Sequence, residues 1–217
     1  MIKAVVFDFD GLIIDTETVW YESYKEVFEA YQIDFHWELF VNCVGTDDAA
    51  LNQYIDEKVV NLEVCRDDIK RQAKELHKQK MKAVPMRDGV QDYLNEAKSL
   101  GLKIGLASSS KREWIEFFLN KLQIGEYFEA ISTGDQVEKV KPDPTLYLRT
   151  LELLEVAANE SVAFEDSSNG AKAATRAGMK CVIVPNELTQ FLTFEKYDLR
   201  ISSMSEMSLE QVIQHFN

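Results

Sequence analysis

The feature that most constrains this chain is a rhythm of short apolar runs that fit strands and longer amphipathic stretches that fit helices. The runs lie at residues 2–8, 103–108 ("KIGLAS"), 130–133 ("AIST"), 161–165 ("SVAFE") and 180–184 ("KCVIV"). They are apolar on consecutive positions, the signature of strands covered on both faces. Between them stand "RDGVQDYLNEAKSLG", with Asp88 ahead and Gly101 behind, "KREWIEFFLNKLQIG", "DPTLYLRTLELLEV" with Pro144 at its start, and "SNGAKAATRAG" ending on Gly178. These stretches have helical spacing and the start and stop residues helices favour. Alternation of this kind predicts an α/β fold, a parallel sheet with helices on both faces.

One interval breaks the rhythm. From Asp10 to Lys103 the chain is far longer than a crossover helix needs, and residues 16–83 hold four helical stretches and no convincing strand: "TETVWYESYKEVFEAY", "HWELFVN", "DDAALNQYIDEKVV" and "CRDDIKRQAKELHKQKMK". The expected organisation is a catalytic core of residues 1–15 and 84–217 with an inserted all-α helical cap of residues 16–83. In open parallel sheets ligands bind at the carboxyl ends of the strands. An insert leaving from the first of those ends is expected to hang over the crevice as a lid.

Composition excludes several classes. A chain of 217 residues with 46% hydrophobic content can build a sizeable core. With 24 basic residues against 37 acidic ones the formal net charge is -13, which opposes nucleic acid and anionic lipid, and no basic run offsets it. Cys43, Cys65 and Cys181 are far apart and form no C-x-x-C pair, so neither a disulfide framework nor a zinc site is suggested. With no charged leader and apolar segment ahead of the first strand, and no apolar run near ~20 residues, a cytoplasmic location with no membrane partner is expected.

The strand ends carry the chemistry. The first ends on Asp8-Phe9-Asp10-Gly11, the second on Ser108-Ser109-Ser110 and the fourth on Glu165-Asp166, while the segment after the third reaches Lys141-Pro142-Asp143-Pro144. Each feature alone has a plain structural use as a turn, a helix cap or an exposed charge. Together they place carboxylates, hydroxyls and one amine along the rim where a ligand belongs. Strand residues two apart share a face, so Asp8 and Asp10 are tolerable only if a cation joins them or the chain turns them apart.

Phosphoryl transfer uses such a set, because a phosphate needs a cation, donors for its oxygens and an in-line nucleophile, and Mg²⁺ prefers oxygen ligands. Asp8 is the expected nucleophile and Asp10 the acid and base. Ser108, Ser109 and nearby backbone amides would bind phosphate oxygens. Lys141 would offset charge between nucleophile and phosphate. Asp166 would complete a Mg²⁺ group with Asp8 and Asp10, Glu165 serving directly or beside it. An EF-hand reading of Asp8-x-Asp10 fails, since Gly11 comes too early and no glutamate closes the loop.

"DFDGLIIDTE", "LASSS", "VKPDP" and "FEDSSNGAKAATRAG" resemble, in order, the four motifs of the haloacid dehalogenase superfamily, in its phosphatase and phosphomutase branch with a helical cap between the first two. The "AGMKCVIVPN" stretch is similar to β-phosphoglucomutase-like members. The resemblance implies a Rossmann-like core, Mg²⁺ dependence and an aspartyl-phosphate intermediate, with Asp8, Asp10, Ser108, Lys141 and Asp166 as the matching positions. Sugar-phosphate mutases of this branch carry a cap-hinge histidine and a cap-loop arginine. Here Trp20 and the acidic "VGTDD" of residues 44–48 stand in those places, which weighs against mutase activity, and Asp10 weighs against dehalogenation.

The expectation is therefore a monomeric Mg²⁺-dependent phosphatase acting on a small phosphorylated metabolite, with a β-phosphoglucomutase-like mutase as the nearest alternative. A phospho-acceptor switch is the alternative from another class, but its motif order differs and it lacks the insert. In the cap, Glu17, Trp20, Tyr21, Asp47 and Asp48 are the expected substrate-selecting residues, the two aspartates favouring a single phosphate on a neutral body; for Trp20, Tyr21 and Tyr24, at helical spacing, core packing is the alternative. His36, His77 and His215 are scattered and are not expected to be ligands.

Overall fold

The computed structural model describes residues 1–41 and 49–217. Along the chain β1 (Ala4–Phe7) is followed by α1 (Thr16–Ala30), α2 (Trp37–Val41), α3 (Ala49–Val59), α4 (Arg66–Lys80) and α5 (Val90–Ser99). Then come β2 (Lys103–Ala107), α6 (Arg112–Leu122), β3 (Ala130–Ser132), α7 (Thr145–Leu154), β4 (Ser161–Glu165), α8 (Ser168–Arg176), β5 (Lys180–Ile183), β6 (Leu199–Arg200) and α9 (Leu209–Phe216). The chain divides into two units: Met1–Ile14, Pro85–Asn186 and Thr193–Asn217 form one, and Asp15–Val84 with Glu187–Leu192 form the other.

In the first unit the six strands form one sheet of order β3-β2-β1-β4-β5-β6, and every pairing is parallel. This is the expected Rossmann-like architecture. Its strands are buried on both sides: Ala4 and Val6 join a cluster with Leu146, Tyr147 and Leu151 of α7 and the alanines of α8. On the other side the Phe7 ring stacks on Phe164 at 5.2 Å, and Tyr93 of α5 meets Phe164 edge-on at 5.3 Å. Two helical layers therefore cover the sheet, and continuous apolar runs result because neither strand face meets water. β6 is too short to register as a run. α9 is legible in hindsight, with Leu209, Val212 and Ile213 buried at helical spacing behind a Ser208/Gln211 capping box.

Strand order reverses between β1 and β4, where β2 and β3 extend the sheet one way and β5 and β6 the other. Ligands of open α/β sheets bind at such a reversal, outside the carboxyl ends. Register brings those ends level: Phe7 pairs with both Leu106 and Phe164, so Asp8, Ala107–Ser108 and Glu165–Asp166 follow at one height.

The second unit is helical in its described residues, with α1 packed along α4. Its interior is aromatic, built on Tyr24, Phe28, Phe35 and Phe40 with Ile55 and Ile69, and Leu188 packs on the same cluster. Among the described residues no helix is long and apolar enough to cross a membrane.

Candidate active site

The turn after β1 decides where the two aspartates go. Asp8 continues the ladder, its N–H donating to the Phe164 carbonyl at 3.0 Å. The chain then folds back, with the Gly11 N–H on the Ile14 carbonyl at 2.7 Å and Gly11 at φ +84°, a conformation that costs glycine little. Across this turn the two aspartate side chains take different partners, although the Asp10 charge still acts on Asp8.

Asp8 is buried and faces Lys141, whose Nζ lies 2.5 Å from Asp8 Oδ1 and 2.6 Å from Glu165 Oε1. Glu165 Oε1 also accepts from the Tyr147 hydroxyl at 2.6 Å. A Cβ on Gly170, at the start of α8, would fall 1.8 Å from Glu165 Oε2, so a side chain there would displace that carboxylate. Asp166, 1% exposed, accepts from Asn186 Nδ2 at 3.1 Å.

Asp10 turns to the end of β2 and the first turn of α6. Its Oδ2 accepts from the Ser110 hydroxyl at 2.7 Å and the Ser108 hydroxyl at 3.3 Å, and its Oδ1 from the Trp114 indole N–H at 2.8 Å. The Ser110 N–H in turn donates to Ser108 Oγ at 3.0 Å. Ser109, between them, is exposed.

Burial sets the electrostatics. It pushes the Asp8 carboxyl up to about 8, Lys141 pulling against it and Glu165 adding to it. Burial likewise raises Asp10, opposed by the hydrogen bonds from Ser110, Trp114 and Ser108. Burial alone would lower Lys141, yet its ion pairs with Asp8 and Glu165 outweigh that and hold the ammonium above its ordinary value. Tyr147 is raised by burial and by the nearby Glu165 and Asp8 charges, so its phenol stays protonated and donates.

Asp8, Glu165 and Asp166 are all buried and offer oxygens within 4.8 Å of one another. Three converging carboxylates beside a single ammonium leave excess negative charge out of water, a costly state that a divalent cation relieves. All-oxygen donors suit a hard cation. A carboxylate group that could hold a metal is thus built from the ends of β1 and β4. The Asp10 carboxylate lies outside that group, engaged by Ser108, Ser110 and Trp114.

The family model described as haloacid dehalogenase-like hydrolase matches residues 5–184. The chain belongs to that family. It is an enzyme, a hydrolase of the phosphatase kind within the haloacid dehalogenase family. It is 45% identical over 218 residues, covering 100% of this chain and 99% of the relative, to the Bacillus subtilis protein YhcW, named as a candidate phosphatase. A Thermotoga maritima protein named phosphorylated carbohydrates phosphatase is 34% identical over 183 residues, 82% of each chain. The crystal structure of a Rhodobacter sphaeroides CbbY mutant in complex with xylulose-(1,5)bisphosphate is similar at a TM-score of 0.71 and 26% identity, over 96% of this chain and 97% of that one.

Within this haloacid dehalogenase-type core, Asp8, Asp10, Ser108, Lys141, Glu165 and Asp166 gather at the strand ends. Of the expected cap residues, Glu17, Trp20 and Tyr21 belong to the second unit. Trp20 stacks on His77 at 3.8 Å and on Tyr24 at 5.9 Å, and Tyr21 packs on Phe35 at 5.7 Å, so both rings, partly buried, pack against the interior of the second unit. Glu17 sits half-buried in the first turn of α1. Asp47 and Asp48, with Cys43, fall outside the described residues. His36 and His215 are exposed, whereas His77 is buried.

Sequence reasoning missed Ser110, Trp114, Tyr147, Arg87 and Asn186. Ser110 and Trp114 carried a signal, a third hydroxyl in the run and an indole donor one turn into the next helix. Tyr147 sits at the inward helical positions with Leu146, Thr150 and Leu151, where an aromatic reads as core. Arg87 carried none and Asn186 only its place at the end of "AGMKCVIVPN", because their partners are backbone carbonyls and a carboxylate brought from distant parts of the chain.

Proposed function

We propose that this protein is a Mg²⁺-dependent phosphatase that hydrolyses a phosphomonoester of a small phosphorylated carbohydrate through an aspartyl-phosphate on Asp8. The observation that carries the reading is the buried triangle of Asp8, Glu165 and Asp166 with Lys141 bonded to two of its members, beside a second aspartate held separately. Names among the relatives support the carbohydrate class.

Asp8, Glu165 and Asp166 are the residues that would hold Mg²⁺, which when bound neutralises phosphate charge and aligns nucleophile and substrate. Lys141, bonded to Asp8 Oδ1, aims the carboxylate and favours the ionised form that burial opposes, and a bound cation would favour it further, so that a carboxylate oxygen can attack phosphorus. As the new O–P bond forms, the bond to the alcohol oxygen breaks, and Asp10 gives that oxygen its proton. In the second half Asp10 takes a proton from water, the water oxygen attacks phosphorus, and the Asp8–phosphate bond breaks to release inorganic phosphate. Burial raises the Asp10 carboxyl, which suits a group that must hold a proton before it can give one. The hydroxyls of Ser108 and Ser109, with Lys141 and the backbone amides of the loop after β2, would supply donors to the phosphate oxygens.

Phosphate release should be measured over a panel of sugar phosphates, polyol phosphates, nucleotides and a sugar bisphosphate, with Mg²⁺, with EDTA and with Ca²⁺. Turnover of a carbohydrate phosphate with Mg²⁺, loss with EDTA and little rescue by Ca²⁺ are expected, since looser calcium coordination misplaces the reactants. Activity indifferent to EDTA would remove the metal from the reaction. Isomerisation without phosphate release would make the protein a mutase.

A further inference from the structure

Asp166 has almost no exposure, so its carboxylate orientation is set by protein contacts rather than by water. Two neighbours bear on it. On one side lies Gly11, where an added Cβ would sit 2.0 Å from Asp166 Oδ2. On the other lies Asn186, immediately beyond β5 and itself 5% exposed, whose Nδ2 is 3.1 Å from that same oxygen and 3.4 Å from the Gly11 carbonyl. One side-chain amide therefore spans the loops that follow β1 and β4.

Arg87 holds this bridge in place. Its Nη1 donates to the Gly11 carbonyl at 2.5 Å and the Val184 carbonyl at 3.0 Å, and its Nη2 to the Pro185 carbonyl at 2.8 Å. Its own N–H donates to the Ile13 carbonyl at 2.8 Å. The Val184 N–H donates to the Glu165 carbonyl at 2.7 Å, tying the same loop to the residue before Asp166. The guanidinium thus fastens the turn after β1 to the two residues that precede Asn186.

We propose that Asn186, braced by Arg87, is a positioning residue for the metal-binding carboxylates, fixing the orientation in which Asp166 offers its carboxylate to the cation. This rests on the metal reading above. A neutral amide suits the task, because it occupies one oxygen without adding the positive charge with which a lysine or arginine would compete against the ion. Partners that orient metal-ligating carboxylates act on affinity, by roughly 10–100-fold when removed. Arg87 acts one step further back, through the backbone.

The test is Mn²⁺ binding to the full-length chain, followed by the electron paramagnetic resonance signal of free Mn²⁺, in the native protein and in Asn186→Ala, Asn186→Leu and Arg87→Met. Asn186→Leu keeps the volume while removing the donor, and covers the case in which the alanine variant does not fold. The Asn186 variants are expected to bind Mn²⁺ about 10–100-fold more weakly, with melting temperatures in EDTA near native and the Mg²⁺ concentration for half-maximal phosphate release raised more than kcat is lowered. Arg87→Met is expected to lower both Mn²⁺ affinity and melting temperature. Native Mn²⁺ affinity in a folded Asn186 variant overturns the inference, and a lower melting temperature with unchanged affinity removes Arg87 from it. A native protein that binds no Mn²⁺ overturns the metal reading itself, and this inference with it.

Discussion

The strand ends of the first unit and the interior of the second bury opposite kinds of group. At the strand ends of the first, four carboxylates, Asp8, Asp10, Glu165 and Asp166, share one ammonium and a set of hydroxyl, indole and amide donors. Inside the second, the interior is rings and aliphatic chains, with His77 stacked under Trp20. Burial acts on both, but its result differs. Buried charge must be matched by partners at fixed positions, so the first unit is exacting in orientation. Aromatic packing has no such polarity to satisfy, so the second unit is exacting chiefly in volume.

If that contrast is right, near-isosteric changes should ruin the first unit's chemistry and leave its fold, whereas the second should answer to lost volume. The largest effect is expected from Asp8→Asn, with kcat for phosphate release down by about 10⁴-fold or more, no phosphoenzyme in rapid-quench experiments and a near-native melting temperature. Asp10→Asn should lower kcat by about 10²–10⁴-fold, the range of a lost acid–base group. Undiminished turnover in either variant would end the role given to that residue.

For the second unit, Phe28→Ala should cost about 3–5 kcal/mol of stability, as large-to-small changes of a buried ring do. Phe28 is fully buried and packs on Phe35 at 4.6 Å. Denaturant unfolding measures it, and a loss under 1 kcal/mol would show that the aromatic interior does not carry this unit's stability.

Next in size is the metal group. Asp166→Ala should shift Mg²⁺ titrations of activity to higher concentration by about 10–100-fold, and an unshifted titration would take Asp166 out of the set.

The smallest and most discriminating effect is on pH. In EDTA the folded first unit holds protons on Asp8, raised to about 8, and on Asp10, also raised, that the unfolded chain has released. Stability from this source therefore falls as pH rises from about 4 to about 8, because the native state binds more protons there. Mg²⁺ should offset the fall, so its gain in melting temperature should be greater at pH 8 than at pH 5.

His77 has the opposite sign. Burial lowers it from 6.5 to about 4, so the unfolded state takes up the proton first and stability falls as pH drops through that window. Accordingly, the melting temperature of the native protein minus that of His77→Phe, both in EDTA, should rise between pH 4 and 6.5 and then level. A flat difference would break the comparison at its simplest point.

The sequence alone determined the parallel sheet, its five longer strands and the helical insert, and singled out Asp8, Asp10, Ser108, Lys141, Glu165 and Asp166 as a candidate set. Apolar periodicity and the chemistry of strand ends are local properties, readable within a few residues. Tertiary structure alone decided how that set is partitioned: Asp8 with Lys141 and Glu165, Asp10 with Ser110 and Trp114, and Asp166 with Asn186. It also packed Trp20 and Tyr21, both partly buried, against the aromatic cluster of the second unit. The physical reason is that a buried carboxylate takes its orientation from donors within about 3 Å, a hydrogen-bond length, and here several of those donors come from segments far away along the chain. No pattern of neighbouring residues records which distant amide or indole will arrive there.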